Sequence, residues 1–141
     1  MAAITKDTTV TSPVVGDGAP LKYLDLPVKA EAVIYKGALV AVDSTGYLVP
    51  ASTATGLRAA GRAEESANNT GGASGAKRVR VARGVFPANN ATAGDAVTQA
   101  ALLSNVYFLD DNTLTITSTG RSVAGKFVGF SDDGRPQVEI Y

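Results

Sequence analysis

From Leu21 to Tyr141 the chain never runs far before a glycine or an aspartate interrupts it. Short β-branched stretches alternate with turn residues, and that punctuation limits what the chain can become. Val, Ile and Thr together make up 34 of 141 residues and glycine another 15, a composition that favours short strands joined by tight turns. Gln99-Ala100-Ala101-Leu102-Leu103 is the one stretch that reads as helix, and only for about a turn. Alanine supplies 23 of the apolar residues and Trp is absent, so the core is expected to consist of small side chains with few large anchors. At 141 residues the chain makes one domain and buries roughly two-thirds of its unfolded surface, enough for a core without staples.

The strands can be read in order. Ala32-Val33-Ile34-Tyr35 is followed by Ala38-Leu39-Val40-Ala41-Val42, which is apolar at both parities and so expected to be covered on both faces. Asp43-Ser44-Thr45-Gly46 is a turn leading to Tyr47-Leu48-Val49, and residues 57–63 form a weaker strand. Residues 67–76 have the composition of a flexible loop. In residues 77–83, Val79 and Val81 share one face and Arg78 and Arg80 the other, and Gly84 is expected to bend or bulge the chain before Val85-Phe86-Pro87. Gly94-Asp95-Ala96-Val97 is expected to restart the sheet. Two hairpins close the chain. One turns at Asp110-Asp111-Asn112, with Leu114 and Ile116 pointing one way and the threonines the other. The second turns at Asp132-Asp133-Gly134. Eight or nine short strands and almost no helix predict an all-β fold, a small single-domain β-barrel or sandwich spanning residues 21–141.

Residues 1–20 differ from the rest: four Thr, two Pro, two Gly, no Leu and no aromatic. Their sparse apolar residues read equally as a frayed terminus or as an extended N-terminal arm. Fully extended, such an arm spans roughly 65 Å, against roughly 35 Å for the width of the remaining domain. An arm would therefore reach a neighbour, and Ile4, Thr8, Val10, Val14 and Val15 are its candidate contact residues.

Composition also removes whole classes of chemistry. With neither cysteine nor histidine, the chain has no disulfide, no thiolate or imidazole metal ligand and no Ser-His-Asp triad. Thirteen basic residues balance thirteen acidic ones, without the basic excess of a general nucleic-acid binder. There is no transmembrane run and no secretory signal, so a soluble, unprocessed chain made in the cytoplasm is expected, with no membrane partner. The paired carboxylates Asp110-Asp111 and Asp132-Asp133 fall in predicted turns, where Asp accepts backbone N–H bonds and does not converge on a substrate. The glycine-rich stretch at 71–77 lacks the spacing of a phosphate loop, and the two glycosylation sequons at Asn68 and Asn90 carry no weight without a signal. The expectation is a non-enzyme without cofactor, metal or small-molecule substrate. Lys77, Arg78, Arg80 and Arg83 form the one local charge cluster. It reads first as the solvated face of an edge strand and second as a face that docks a protein. No aromatic is interleaved with these arginines, which argues against stacking on single-stranded nucleic acid.

The order of features from Leu21 to Tyr141 resembles the small capsid decoration, or cement, proteins of tailed bacteriophages. The stretches that carry the resemblance are Val106-Tyr107-Phe108-Leu109-Asp110-Asp111-Asn112-Thr113-Leu114, Gly120-Arg121-Ser122-Val123-Ala124-Gly125 with Val128-Gly129, and the ending Asp132-Asp133-Gly134-Arg135-Pro136-Gln137-Val138-Glu139-Ile140. Lys36-Gly37-Ala38-Leu39-Val40, Gly46-Tyr47-Leu48-Val49 and Gly84-Val85-Phe86 fit the same rhythm. The resemblance implies a β-tulip-like module on the outer capsid surface of a virion, assembled as a homotrimer or, as runner-up, a homodimer. There it would cement neighbouring major capsid protein subunits and stabilise the expanded head. The residue types leave other classes open: an oligomeric tail, baseplate or head-fibre component, and, less favoured for want of Trp, a carboxylate-only glycan-active or glycan-binding module. A fibre shaft would show repeats, and none is present.

Overall fold

The structure is a computed structural model that describes residues 22–141. The predicted arm, with Ile4, Thr8, Val10, Val14 and Val15, lies outside the described residues. Twelve strands follow in chain order: β1 (Lys22–Pro27), β2 (Val33–Ile34), β3 (Leu39–Val42), β4 (Leu48–Pro50), β5 (Arg58–Ala63), β6 (Ala67–Asn68), β7 (Arg78–Pro87), β8 (Asn89–Asn90), β9 (Asn105–Asp110), β10 (Thr113–Thr115), β11 (Val123–Phe130) and β12 (Pro136–Ile140). The only helical turns among the described residues are two three-residue 3₁₀ segments, Ala93–Asp95 and Gln99–Ala101. The fold is all-β, as the turn punctuation predicts.

Ten strands join one sheet in the order β4-β3-β5-β7-β12-β11-β9-β10-β8, with β1 added to β7, while β2 and β6 pair separately. The sheet does not close into the barrel that was one of the two expected architectures, because its ends, β4 and β8, do not pair with each other. It folds back on itself instead. The Leu39 N–H donates to Asp111 O at 2.8 Å, and the Thr53 hydroxyl to Leu109 O at 2.7 Å. The Ser122 hydroxyl accepts from Leu57 N–H and donates to Ala54 O. These bonds tie the β3–β5 half to the β9–β11 half in a sandwich-like curl.

Between those halves lies the larger core, anchored by Phe86, Phe108 and Phe127 among Leu114, Val106, Val138 and several alanines. A second core of Val28, Ile34, Val40, Leu48, Val79 and Val81 lies on the other face of the first half-sheet. Side chains alternate along a strand, so β3 sends Leu39 and Ala41 into one core and Val40 into the other. That is the two-sided coverage its unbroken apolar run predicts. The supposedly weak strand β5 is central for the same reason: its small residues serve two cores, with Ala60 and Ala63 in one and Ala59 against the other.

Several local expectations change. β7 runs unbroken through Gly84, where its partner changes: residues 78–83 pair with β1 and 84–87 with β12. Gly94-Asp95-Ala96-Val97 does not restart the sheet. It forms a 3₁₀ turn and an inward-facing Val97, whose N–H and C=O are both held by the Asn90 side chain. Ile116 lies beyond β10 and is 38% exposed, while Thr115 is fully buried, its hydroxyl donating to Asp95 O at 2.9 Å. Residues 67–76 do not form a loop without internal structure. Asn69 is buried at their centre, and its amide donates to the carbonyls of Lys29 and Ala73, both at 3.0 Å.

Candidate functional site

β7 places alternate residues on opposite faces, so Val79 and Val81 enter the second core and Arg78 and Arg80 face outward, as their spacing predicts. The strand is not an edge, however. β1 flanks it on one side and β5 on the other, and β1 is the strand whose second edge is unpaired among the described residues. Directly opposed residues share a face. The register Asp25↔Arg80 and Pro27↔Arg78 therefore puts Tyr23, Asp25 and Pro27 beside the two arginines, with Leu24 and Leu26 directed to the core side.

Four of these side chains are held in two pairs. Arg78 donates from Nε to Asp25 Oδ2 at 3.0 Å and from Nη2 to Asp25 O at 2.8 Å. The Arg80 guanidinium lies 5.5 Å from the centre of the Tyr23 ring. From the other side, Glu65 accepts the Arg80 backbone N–H at 2.8 Å. Tyr23 stays 52% exposed, and the Arg78–Asp25 pair is open to solvent. An exposed ion pair of this kind stabilises a fold by at most about 1 kcal/mol, and an exposed cation–π contact by a similar amount. Their effect is to hold long side chains in one arrangement, which lowers the ordering cost of binding. Sequence reading places no aromatic beside these arginines, and the structure supplies one. Tyr23 lies 57 positions before Arg80, and only the β1–β7 register brings the two together. Arg83 belongs to the same strand, is half-buried opposite Lys22 and makes no ion pair among the described residues.

A second charged site has no counterpart in the local sequence. Arg62 lies opposite both Leu39 and Ala82, at the rim of the larger core. Its guanidinium stacks 4.7 Å from the centre of the buried Phe86 ring and donates from Nη2 to Glu64 at 3.2 Å. Beside it opens a cavity of about 250 Å³, lined by Lys36, Arg62, Glu64, Pro87, Asn112 and Arg135 among others. These residues come from the turn before β3, the end of β5, the end of β7 and the two hairpin turns at Asn112 and Arg135. Arg135 donates to Asp133 at 3.0 Å, and Lys36 makes no ion pair among the described residues.

Asp110 ends β9, and Asp111, Asp132 and Asp133 occupy the hairpin turns. Asp110 accepts the Asn112 N–H at 2.8 Å, and Asp133 accepts from the Ser131 hydroxyl and the Arg135 N–H. The Ser131 hydroxyl, aided by Arg135, holds the Asp133 carboxyl below its ordinary value. Burial, and secondarily the charge of Asp110, pushes Asp111 up. Asp43 is held well down, first by the Lys29 ammonium and then by the Thr45 hydroxyl. Among the described residues no three acidic side chains gather as a metal would require, and no helix is long and apolar enough to cross a membrane. No family model, curated protein or solved structure matches this chain.

Proposed function

We propose that the chain is a structural virion protein that binds the outer capsid surface of a tailed bacteriophage and cements neighbouring major capsid protein subunits, as a cyclic homotrimer. One observation carries the docking part of this reading: the preorganised Tyr23–Asp25–Arg78–Arg80 face on the β1–β7 pair. Tyrosine and arginine are the residue types that dominate binding energy at protein interfaces. Here they stand on regular strands above a packed core, and no large conformational cost attends their burial. The capsid assignment itself rests on the sequence resemblance over residues 21–141, to which an all-β domain conforms. A cement protein adds buried area across junctions under outward stress. A standard interface of about 800 Å² per partner, repeated over many copies, gives lasting attachment without one tight site.

The test is co-sedimentation of the purified chain with expanded, undecorated heads, alongside the Tyr23→Ala/Arg80→Ala double variant. The wild-type chain should pellet with heads, and the double variant should bind at least tenfold more weakly, the loss of about 2 kcal/mol expected of an interface hot spot. Failure of the wild-type chain to bind heads refutes the capsid reading. Equal binding by the double variant refutes the assignment to this face.

A further inference from the structure

We infer that the cleft between Lys36, Arg62 and Arg135 is a binding site for an oxyanion, a carboxylate or a phosphate group. The inference does not depend on the capsid reading. Three cationic side chains from positions 36, 62 and 135 border one cavity of about 250 Å³, and Glu64 is the one acidic residue lining it. Glu64 is already engaged by one nitrogen of Arg62. Asp133, the partner of Arg135, does not line the cavity. Arg62 and Arg135 are thus each met by one carboxylate, and the charge of Lys36, which makes no ion pair among the described residues, leaves the cleft with a positive excess.

Its geometry is also prepared. The Arg62 guanidinium is fixed in plane by Phe86 on its face and Glu64 at one edge, so its remaining N–H donors keep a set direction. A planar guanidinium with free donors is matched to the two oxygens of a carboxylate or phosphate. The Lys36 backbone is anchored by its N–H bond to the Ser66 hydroxyl at 2.9 Å, leaving the ammonium available as a point charge. Asn112 adds a neutral amide at the rim. A cavity of this size holds a small oxyanion with a few waters and is too small for an extended ligand. The ligand class is accordingly a single anionic group, either free or at the tip of a larger molecule.

The experiment is an NMR titration of the full chain at low ionic strength with two probes, inorganic phosphate and citrate. Saturating shifts are expected at Gly37, Asn112, Arg135 and the Arg62 Nε–H, while Arg78 and Arg80 remain unmoved. Saturation by phosphate alone identifies a phosphate site, saturation by citrate alone a carboxylate site, and saturation by both a site that reads charge and geometry only. Lys36→Ala and Arg135→Ala, both at solvent-facing turns, should each weaken binding about tenfold, the loss of one charge-assisted hydrogen bond. Shifts that grow linearly without saturating, shifts of equal size on the Arg78–Arg80 face, or variants that bind like wild type would overturn the inference.

Discussion

Replacing Gly61 with alanine tests whether β5 and β7 are held together as closely as the structure shows. A Cβ built on Gly61 lies 2.0 Å from the carbonyl oxygen of Ala82 and 3.0 Å from Cγ1 of Val81. The residue also has φ +147°, which L side chains rarely adopt, and faces the register shift between Val40 and Ala41. The obstructing atom is backbone, not the end of a flexible side chain, so relief requires β7 to retreat by more than about 1 Å. That movement weakens the pairing Arg62↔Ala82 and Ala63↔Val81 and disturbs both cores, since Val81 belongs to one and Ala82 to the other. Backbone strain costs roughly 1–3 kcal/mol, and each weakened ladder hydrogen bond about 1 kcal/mol more. A total of ~3–5 kcal/mol is a large share of the 5–15 kcal/mol typical of a domain. Thermal unfolding should register it as a fall of roughly 10 °C or more in Tm. Gly134→Ala is the control, because its φ is +83° but nothing lies within 4 Å of a Cβ there. It bears the backbone strain alone, on the order of 1–2 kcal/mol. If Gly61→Ala loses no more stability than Gly134→Ala, the close approach of β5 and β7 is not real and the argument falls.

Asn69→Ala should cost about 2–4 kcal/mol in urea unfolding, because the carbonyls of Lys29 and Ala73 lose their donor in a buried site; a change under 1 kcal/mol would show that the backbone bonds alone hold residues 67–76. Phe108→Ala, at a fully buried ring in the larger core, should cost about 3–5 kcal/mol by calorimetry, and a smaller loss would show that the core collapses around the gap. Asp43 has its carboxyl held below the ordinary 3.8, so its contribution to stability is present above that pH and lost as the pH falls below it. Asp43→Asn should accordingly flatten the acid limb of the Tm–pH profile; an unchanged limb would mean that Lys29 and Thr45 do not hold the carboxylate in solution. Asp111, pushed up by burial, has the opposite sign. Asp111→Asn should raise Tm slightly at neutral pH and leave it unchanged well below 3.8, and a fall at neutral pH would refute the sign.

Strand content and most of the turns were legible in the sequence, because both are set by neighbours. Asp43 accepts the Thr45 N–H within its own turn, and Asp110 accepts the Asn112 N–H within its own. The alternation of Arg78, Val79, Arg80 and Val81 carried its two faces in the pattern, as did the unbroken apolar run of β3. Whatever depends on which strand lies beside which came from long-range packing. Residues 67–76 look like a loop by composition, yet they are organised by Asn69 reaching carbonyls up to 41 positions away. Ile116 has the parity of a core residue, but β10 ends before it, so parity no longer describes its surroundings. Both candidate sites belong to this second kind. Tyr23 reaches Arg80 only through the β1–β7 register, and Lys36, Arg62 and Arg135 meet only because the turn before β3, the end of β5 and the turn before β12 lie at one rim of the folded sheet. A linear sequence carries strong signals for contacts two to four residues apart. Contacts between distant strands depend on the summed packing of both cores, and no single residue encodes that sum.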